Sequence, residues 1–141
     1  MLDKESTTEF IIKTVAHYYP SVQGIYLFGS YQTDNEWPDS DVDVAVLLPY
    51  PDAKHDRLMV VSKCRYQLED ILKKDVDLVN LRLTSTVFQF QIVSTGRLLY
   101  TADERAVQEF EMLTISLYQK LCEERCNILE EFYKTGRAYP V

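Results

Sequence analysis

Two carboxylates stand at the head of an otherwise apolar strand. Asp41-Val42-Asp43 opens the run Val42-Asp43-Val44-Ala45-Val46-Leu47-Leu48. Strand side chains alternate with period two, so Asp41 and Asp43 share one face about 6–7 Å apart. Like charges that close, at the edge of an apolar core, raise each other's pKa and resist joint ionisation. The run is therefore constrained at both ends: its start must lie at a site and its remainder must lie in a core. Ten residues before Asp41, the pair Gly29-Ser30 ends another apolar run, Gly24-Ile25-Tyr26-Leu27-Phe28, which reads as a buried strand. A divalent cation resolves the repulsion. Hard oxygen donors without His or Cys nearby suit magnesium, which typically takes one or two carboxylates plus substrate phosphates. The chemistry implied is metal-assisted phosphoryl or nucleotidyl transfer.

The rest of the chain alternates helices and strands without repeats. Ser6 or Thr7 is expected to cap a first helix that presents Ile11, Ile12, Val15 and Tyr18 on one face and stops before Pro20. Pro49-Tyr50-Pro51 ends the second strand. Apolar residues at helical spacing (Leu58, Val61, Cys64, Leu68, Ile71, Leu72) predict a helix over 52–74. A third strand follows over 75–81. Asp77 lies in it among Val76, Leu78 and Val79, where an unpartnered buried carboxylate is costly, so it is expected to face the same cluster as Asp41 and Asp43. Asp75 has the same parity but follows Lys73-Lys74 and reads as a solvated strand end. A helix over about 85–94 closes at Gly96, and a fourth strand runs over 97–100. One long helix over about 103–134 ends the pattern. No linker interrupts it, so 1–141 reads as a single α+β domain. Its core is a small mixed sheet of about four strands within about 1–101.

At 141 residues, with 46% apolar and 26% charged residues, the composition is that of an ordinary globular domain. No run approaches the roughly 20 apolar residues of a membrane span, and Met1-Leu2-Asp3-Lys4-Glu5 does not read as a signal peptide. Three cysteines (Cys64, Cys122, Cys126) cannot all pair with one another, which favours reduced thiols in the cytoplasm. Cys122 and Cys126, one helical turn apart, read as packing residues. His17 and His55 have no metal-ligand spacing with any cysteine. The net charge of −7 argues against a long nucleic-acid partner, whose affinity rests largely on Lys and Arg contacts to phosphate. A nucleotide whose charge is carried by metal, or a basic protein, remains compatible.

Gly29-Ser30, ten residues, Asp41-Val42-Asp43, and then Asp77 in a later strand resemble the signature of the polymerase-β-like nucleotidyltransferases. The small size and final helix are similar to the minimal nucleotidyltransferase (MNT) proteins, antitoxins paired with HEPN-domain toxins. The resemblance implies that Gly29 lets the backbone approach a triphosphate, where no Cβ stands in the way. It implies that the Ser30 hydroxyl binds phosphate oxygens, and that Asp41 and Asp43 hold magnesium, two ions in all. Asp77 would complete one metal site and orient or deprotonate an attacking hydroxyl. It also implies ATP as the substrate and the tyrosine hydroxyl of a HEPN ribonuclease toxin as the acceptor. Related sequences often carry Arg or Lys just after Gly-Ser. This chain has Tyr31-Gln32-Thr33-Asp34, and Glu36 and Asp39 acidify the loop further. Lys54, Arg57 or Arg65 would then have to neutralise the triphosphate from elsewhere. Trp37 is a candidate for stacking on a base.

The final helix carries an apolar stripe (Val107, Phe110, Leu113 or Thr114, Leu117, Leu121, Ile128, Phe132) that Met112, Ile115, Tyr118, Cys122 and Leu129 widen beyond a single seam. Either it packs wholly on its own sheet, or it extends to dock a partner. From Asp103 to Val141 there are eight acidic and five basic residues, which favours a basic partner. Three functions are compatible with these features. One is an antitoxin that transfers AMP to its toxin. Another is a nucleotidyltransferase acting on small cationic molecules such as aminoglycosides. The third is an antitoxin that only occludes its toxin.

Overall fold

A computed structural model describes residues 4–29, 41–57, 59 and 62–135; for 129–135 it describes only the course of the helix. Ser30, the acidic loop with Asp34, Glu36, Trp37 and Asp39, the predicted core positions Leu58 and Val61, and the side chains of Leu129 and Phe132 lie outside the described residues. The order of elements is α1 (Lys4–Tyr18), β1 (Gly24–Phe28), β2 (Val42–Leu47), α2 (Tyr50–His55), α3 (Lys63–Leu72), β3 (Val76–Asn80), α4 (Thr86–Thr95), β4 (Arg97–Thr101) and α5 (Glu104–Thr135). The four strands form one mixed sheet in the order β3-β2-β1-β4. β1 pairs antiparallel with β2 and with β4, whereas β2 and β3 run parallel. A parallel pair cannot be closed by a tight turn and needs a crossover, which α2 and α3 supply.

The sheet separates two clusters of buried side chains. Ile25 and Leu27 of β1, Val44 and Val46 of β2 and Leu78 of β3 face Ile11 and Val15 of α1 and Cys64 and Leu68 of α3. Tyr26, Ala45 and Leu47 face Ile92 of α4 and Val107 and Phe110 of α5. This second face carries the carboxylates, because Asp43 has the parity of Ala45 and Leu47.

Several boundaries differ from the sequence reading. α1 begins at Lys4, so Ser6 and Thr7 are helical rather than capping; Thr7, Ile11, Thr14 and Val15 are its buried stripe. The helix predicted over 52–74 is two helices. Pro49-Tyr50-Pro51 both ends β2 and starts α2, with proline in the first turn, where its missing N–H costs nothing. Ser62 then caps α3 by accepting from the Arg65 amide, and Lys73 closes it in the left-handed conformation (φ 56°). Ser85 caps α4 in the same way, through the Phe88 amide.

On α5 the buried positions are Val107, Phe110 and Thr114, with Tyr118 and Leu121 half-buried. That spacing of three and four residues makes one face. Tyr118 stacks flat on Phe90 of α4 at 3.8 Å, and the Tyr26 hydroxyl donates to Glu111 Oε1 at 2.5 Å. Burial and that carboxylate push the Tyr26 phenol well above its ordinary range. Leu113, Leu117 and Met112 are exposed, so Thr114 rather than Leu113 continues the stripe. Cys122 and Cys126 are exposed rather than packed; Cys64 is buried, which pushes its thiol up to about 12. Among the described residues no helix is long and apolar enough to cross a membrane.

Ile25 is fully buried on the central strand β1. Ile25→Ala is expected to cost about 2–5 kcal/mol, read as a lower denaturant midpoint without loss of the two-state transition.

Candidate active site

β1 runs toward the end of the sheet at which β2 and β3 begin. Phe28, the last residue of β1, is the register partner of Asp43, and Asp43 is in turn the register partner of Asp77. Phe28, Asp43 and Asp77 therefore lie side by side across three strands on one face of the sheet, at spacings of about 5 Å between neighbouring strands. The parallel register is fixed further at this end by the Val42 amide, which donates to the Asp75 carbonyl at 2.9 Å.

Asp43 is half-buried and Asp77 exposed. Desolvation first, then the charge of Asp77 and a side-chain hydrogen bond with it, and last the charge of Asp41 push the Asp43 carboxyl up to about 6. Asp41 precedes β2 and is exposed; its charge reaches Asp43, but among the described residues no three Asp, Glu, His or Cys side chains close into a metal cage. Asp75 is exposed at the head of β3, as its sequence context indicates.

Gly29 turns the chain directly beside Asp43. Its φ is +77°, a conformation that residues with a side chain rarely adopt, and a Cβ there would lie 2.1 Å from Asp43 Oδ2, so a larger residue would be strained and would displace that carboxylate. The glycine lets backbone and carboxylate meet with no side chain between them. An approach this close, next to two hard-oxygen donors that repel each other, fits a divalent cation of the magnesium type with phosphate oxygens completing its shell. Asp43 and Asp77 could hold such an ion, with Asp41 at the rim.

Of the three cations weighed from sequence, two lie elsewhere. Lys54 sits over the Tyr50 ring on α2, after the far end of β2. Arg57 lines a cavity of about 690 Å³ with Tyr19, His55 and Lys63, beside Asp56, whose carbonyl accepts from Asn80 at the far end of β3. Arg65 is nearer the head of β3, but on α3, which packs on the opposite face of the sheet: its Nε donates to the Val76 carbonyl at 2.9 Å and pairs with Glu69 at 3.1 Å. Sequence reasoning missed Phe28. It meets Phe88 of α4 edge to face, with ring centroids 5.6 Å apart, and so walls the site on the β1 side. Its position immediately before Gly29, with the face parity of Tyr26, was the available signal.

Residues 9–105 match the model of the polymerase beta nucleotidyltransferase family. The chain belongs to that family of nucleotidyltransferases. It is similar to protein adenylyltransferase MntA of Shewanella oneidensis, with 38% identity over 123 residues, 86% of this chain and 84% of that protein. Among solved structures it is similar to a chain in the crystal structure of a toxin–antitoxin with AMP-PNP. That match has 34% identity and a TM-score of 0.69, over 89% of this chain and 98% of the other. A chain from the complex of a tri-AMPylated Shewanella oneidensis HEPN toxin with its MNT antitoxin is 32% identical, with a TM-score of 0.68, over 93% and 99% of the two chains.

Because the carboxyl of folded Asp43 titrates above its unfolded counterpart, its favourable contribution is present at low pH and is lost as pH rises from about 4 through about 6. Above that window ionised Asp43 lowers stability. Asp43→Asn is therefore expected to raise stability at pH 7.5 in chelated, metal-free buffer. The gain should be about 1–2 kcal/mol, the full linkage value being reduced because the group is half-exposed. Paired thermal melts should show the gain shrinking to nothing near pH 4.

Proposed function

We propose that this chain is an antitoxin enzyme that transfers AMP from ATP to a tyrosine hydroxyl of a cognate HEPN-domain toxin and so neutralises it. The observation that carries this reading is the Asp43–Asp77 register pair with Gly29 turning against it. The likeness over most of the chain to an adenylyltransferase, and to antitoxin chains crystallised with toxin, supports the choice of substrates.

In this reading the triphosphate lies along Gly29, where the missing side chain admits it, and the Ser30 hydroxyl binds a phosphate oxygen. Asp41, Asp43 and Asp77 would hold two magnesium ions, which neutralise the phosphates and the leaving pyrophosphate when bound. Asp77 orients the phenol of the acceptor and takes its proton. The phenolic oxygen forms a bond to the α-phosphorus as the bond to the bridging oxygen breaks, releasing pyrophosphate. The catalytic gain comes mainly from position and charge rather than from covalent chemistry by the protein.

α5 suits a docking role for the same partner. Beyond Leu121 its residues are exposed through Ile128, and Met112, Leu113, Ile115 and Leu117 flank the packed stripe. A cytoplasmic location accords with a nucleoside triphosphate substrate and with the free cysteines.

Asp43→Asn and Asp77→Asn are each expected to abolish the mass gain of AMP on the toxin while leaving the chain folded; transfer at the wild-type rate by either variant would refute the site. Truncation before Glu123 should weaken toxin binding at least tenfold and leave ATP binding unchanged, measured by calorimetry. Equal loss of both would make α5 simply part of the core.

A further inference from the structure

Beyond the far ends of β2 and β3, the crossover and the end of α1 enclose a cavity of about 690 Å³. Small-molecule sites span about 300–1,000 Å³, so this space is of ligand size and larger than an inorganic ion fills. Its floor is apolar, because Tyr19 and Met59 are buried members of the cluster on the α1 and α3 face. Asp43 lies on the other face and at the opposite end of β2, so the cavity is separate from the candidate active site.

The rim is basic in a chain of net charge −7. Arg57 and Lys63 line it, and among the described residues neither pairs with a carboxylate. Asp56 opposes them with a single negative charge, and His55 adds a ring donor. Ser62, the cap of α3, also lines the cavity, so the helix begins there with the positive end of its dipole. The Tyr19 phenol is hydrogen-bonded to Ser62, and burial pushes its pKa up, so it stays a donor. The carbonyls that would repel an anion are engaged elsewhere. Asn80 Nδ2 donates to those of Ala53 at 2.8 Å and Asp56 at 3.2 Å, which ties the acceptors at the end of α2 to β3. We propose that this cavity is a second, non-catalytic site for a phosphate-bearing small molecule of nucleoside-monophosphate size. The phosphate would meet Arg57, Lys63 and the start of α3, and the organic part would lie on Tyr19 and Met59. The cavity joins the end of α1 to both helices of the crossover that sets Asp77 beside Asp43. A ligand that binds only this folded arrangement stabilises it by mass action. The inference does not depend on the transfer reaction.

The test uses the full chain in metal-free buffer, with AMP and inorganic phosphate as probes. Calorimetry should show saturable AMP binding with a Kd below about 1 mM, and phosphate should compete for the same site. The chain has two histidines, so imidazole proton resonances locate the ligand: those of His55 should move on titration while those of His17 stay. Arg57→Glu and Lys63→Glu, made separately, should each weaken AMP binding at least tenfold and leave the ligand-free melting temperature unchanged. Asp43→Asn should bind AMP as the wild type does. Absence of saturable binding by both probes would overturn the proposal, and so would undiminished AMP binding in both glutamate variants. Loss of AMP binding in Asp43→Asn, with His55 unmoved in the wild type, would assign the ligand to the active site and overturn it as well.

Discussion

The parallel pairing of β2 with β3 sets Asp77 beside Asp43, and the chemistry proposed for the domain depends on that register. The pairing is unfavourable for Asp43, whose carboxyl is pushed up by burial first and by the charge of Asp77 second. The hydrophobic clusters on both sides of the sheet hold the register against that repulsion. A one-residue slip of β3 would move Leu78 out of the core and Asp77 onto the opposite face. Stability and the site are therefore specified by the same alternation of side chains.

The glycine turn completes the arrangement from the other side. Gly29 is favoured by its left-handed backbone and by the Asp43 carboxylate, which a Cβ would displace. Phe28, one residue earlier, turns an aromatic wall to the same space. The sheet edge thus has a charged side toward β3, an open backbone at Gly29 and an apolar side toward α4. This division of labour matches a transfer reaction in which a phosphate chain and an uncharged acceptor must approach one point from different directions.

Much of this was legible in the residues. The strands stood out as apolar runs, and Gly29, Asp43 and Asp77 stood out as the residues that end or interrupt them. The break between α2 and α3 was hidden, because Leu58 and Val61 extend the apolar period of Cys64 and Leu68 back across residues 56–62 and no glycine marks the gap. Strand order was likewise invisible, since local patterns do not say that β3 pairs with β2 in parallel. That pairing makes Asp77 the neighbour of Asp43 rather than of Asp41. On α5 the choice between Leu113 and Thr114 could not be made from periodicity alone. A polar residue took the buried position because the helix face is fixed by Val107, Phe110 and Tyr118.

The crossover between β2 and β3 has a kinetic meaning as well as a geometric one. Asp43 and Asp77 are separated by α2 and α3, so they meet only after a long loop has closed and its entropy has been lost. Neither hairpin-like pair in the sheet, β1 with β2 or β1 with β4, brings the two carboxylates together. A chain with β3 undocked lacks the Asp43–Asp77 pair. The proposed site of this domain is thereby tied to closure of the β2–β3 crossover, which no local turn can bring about.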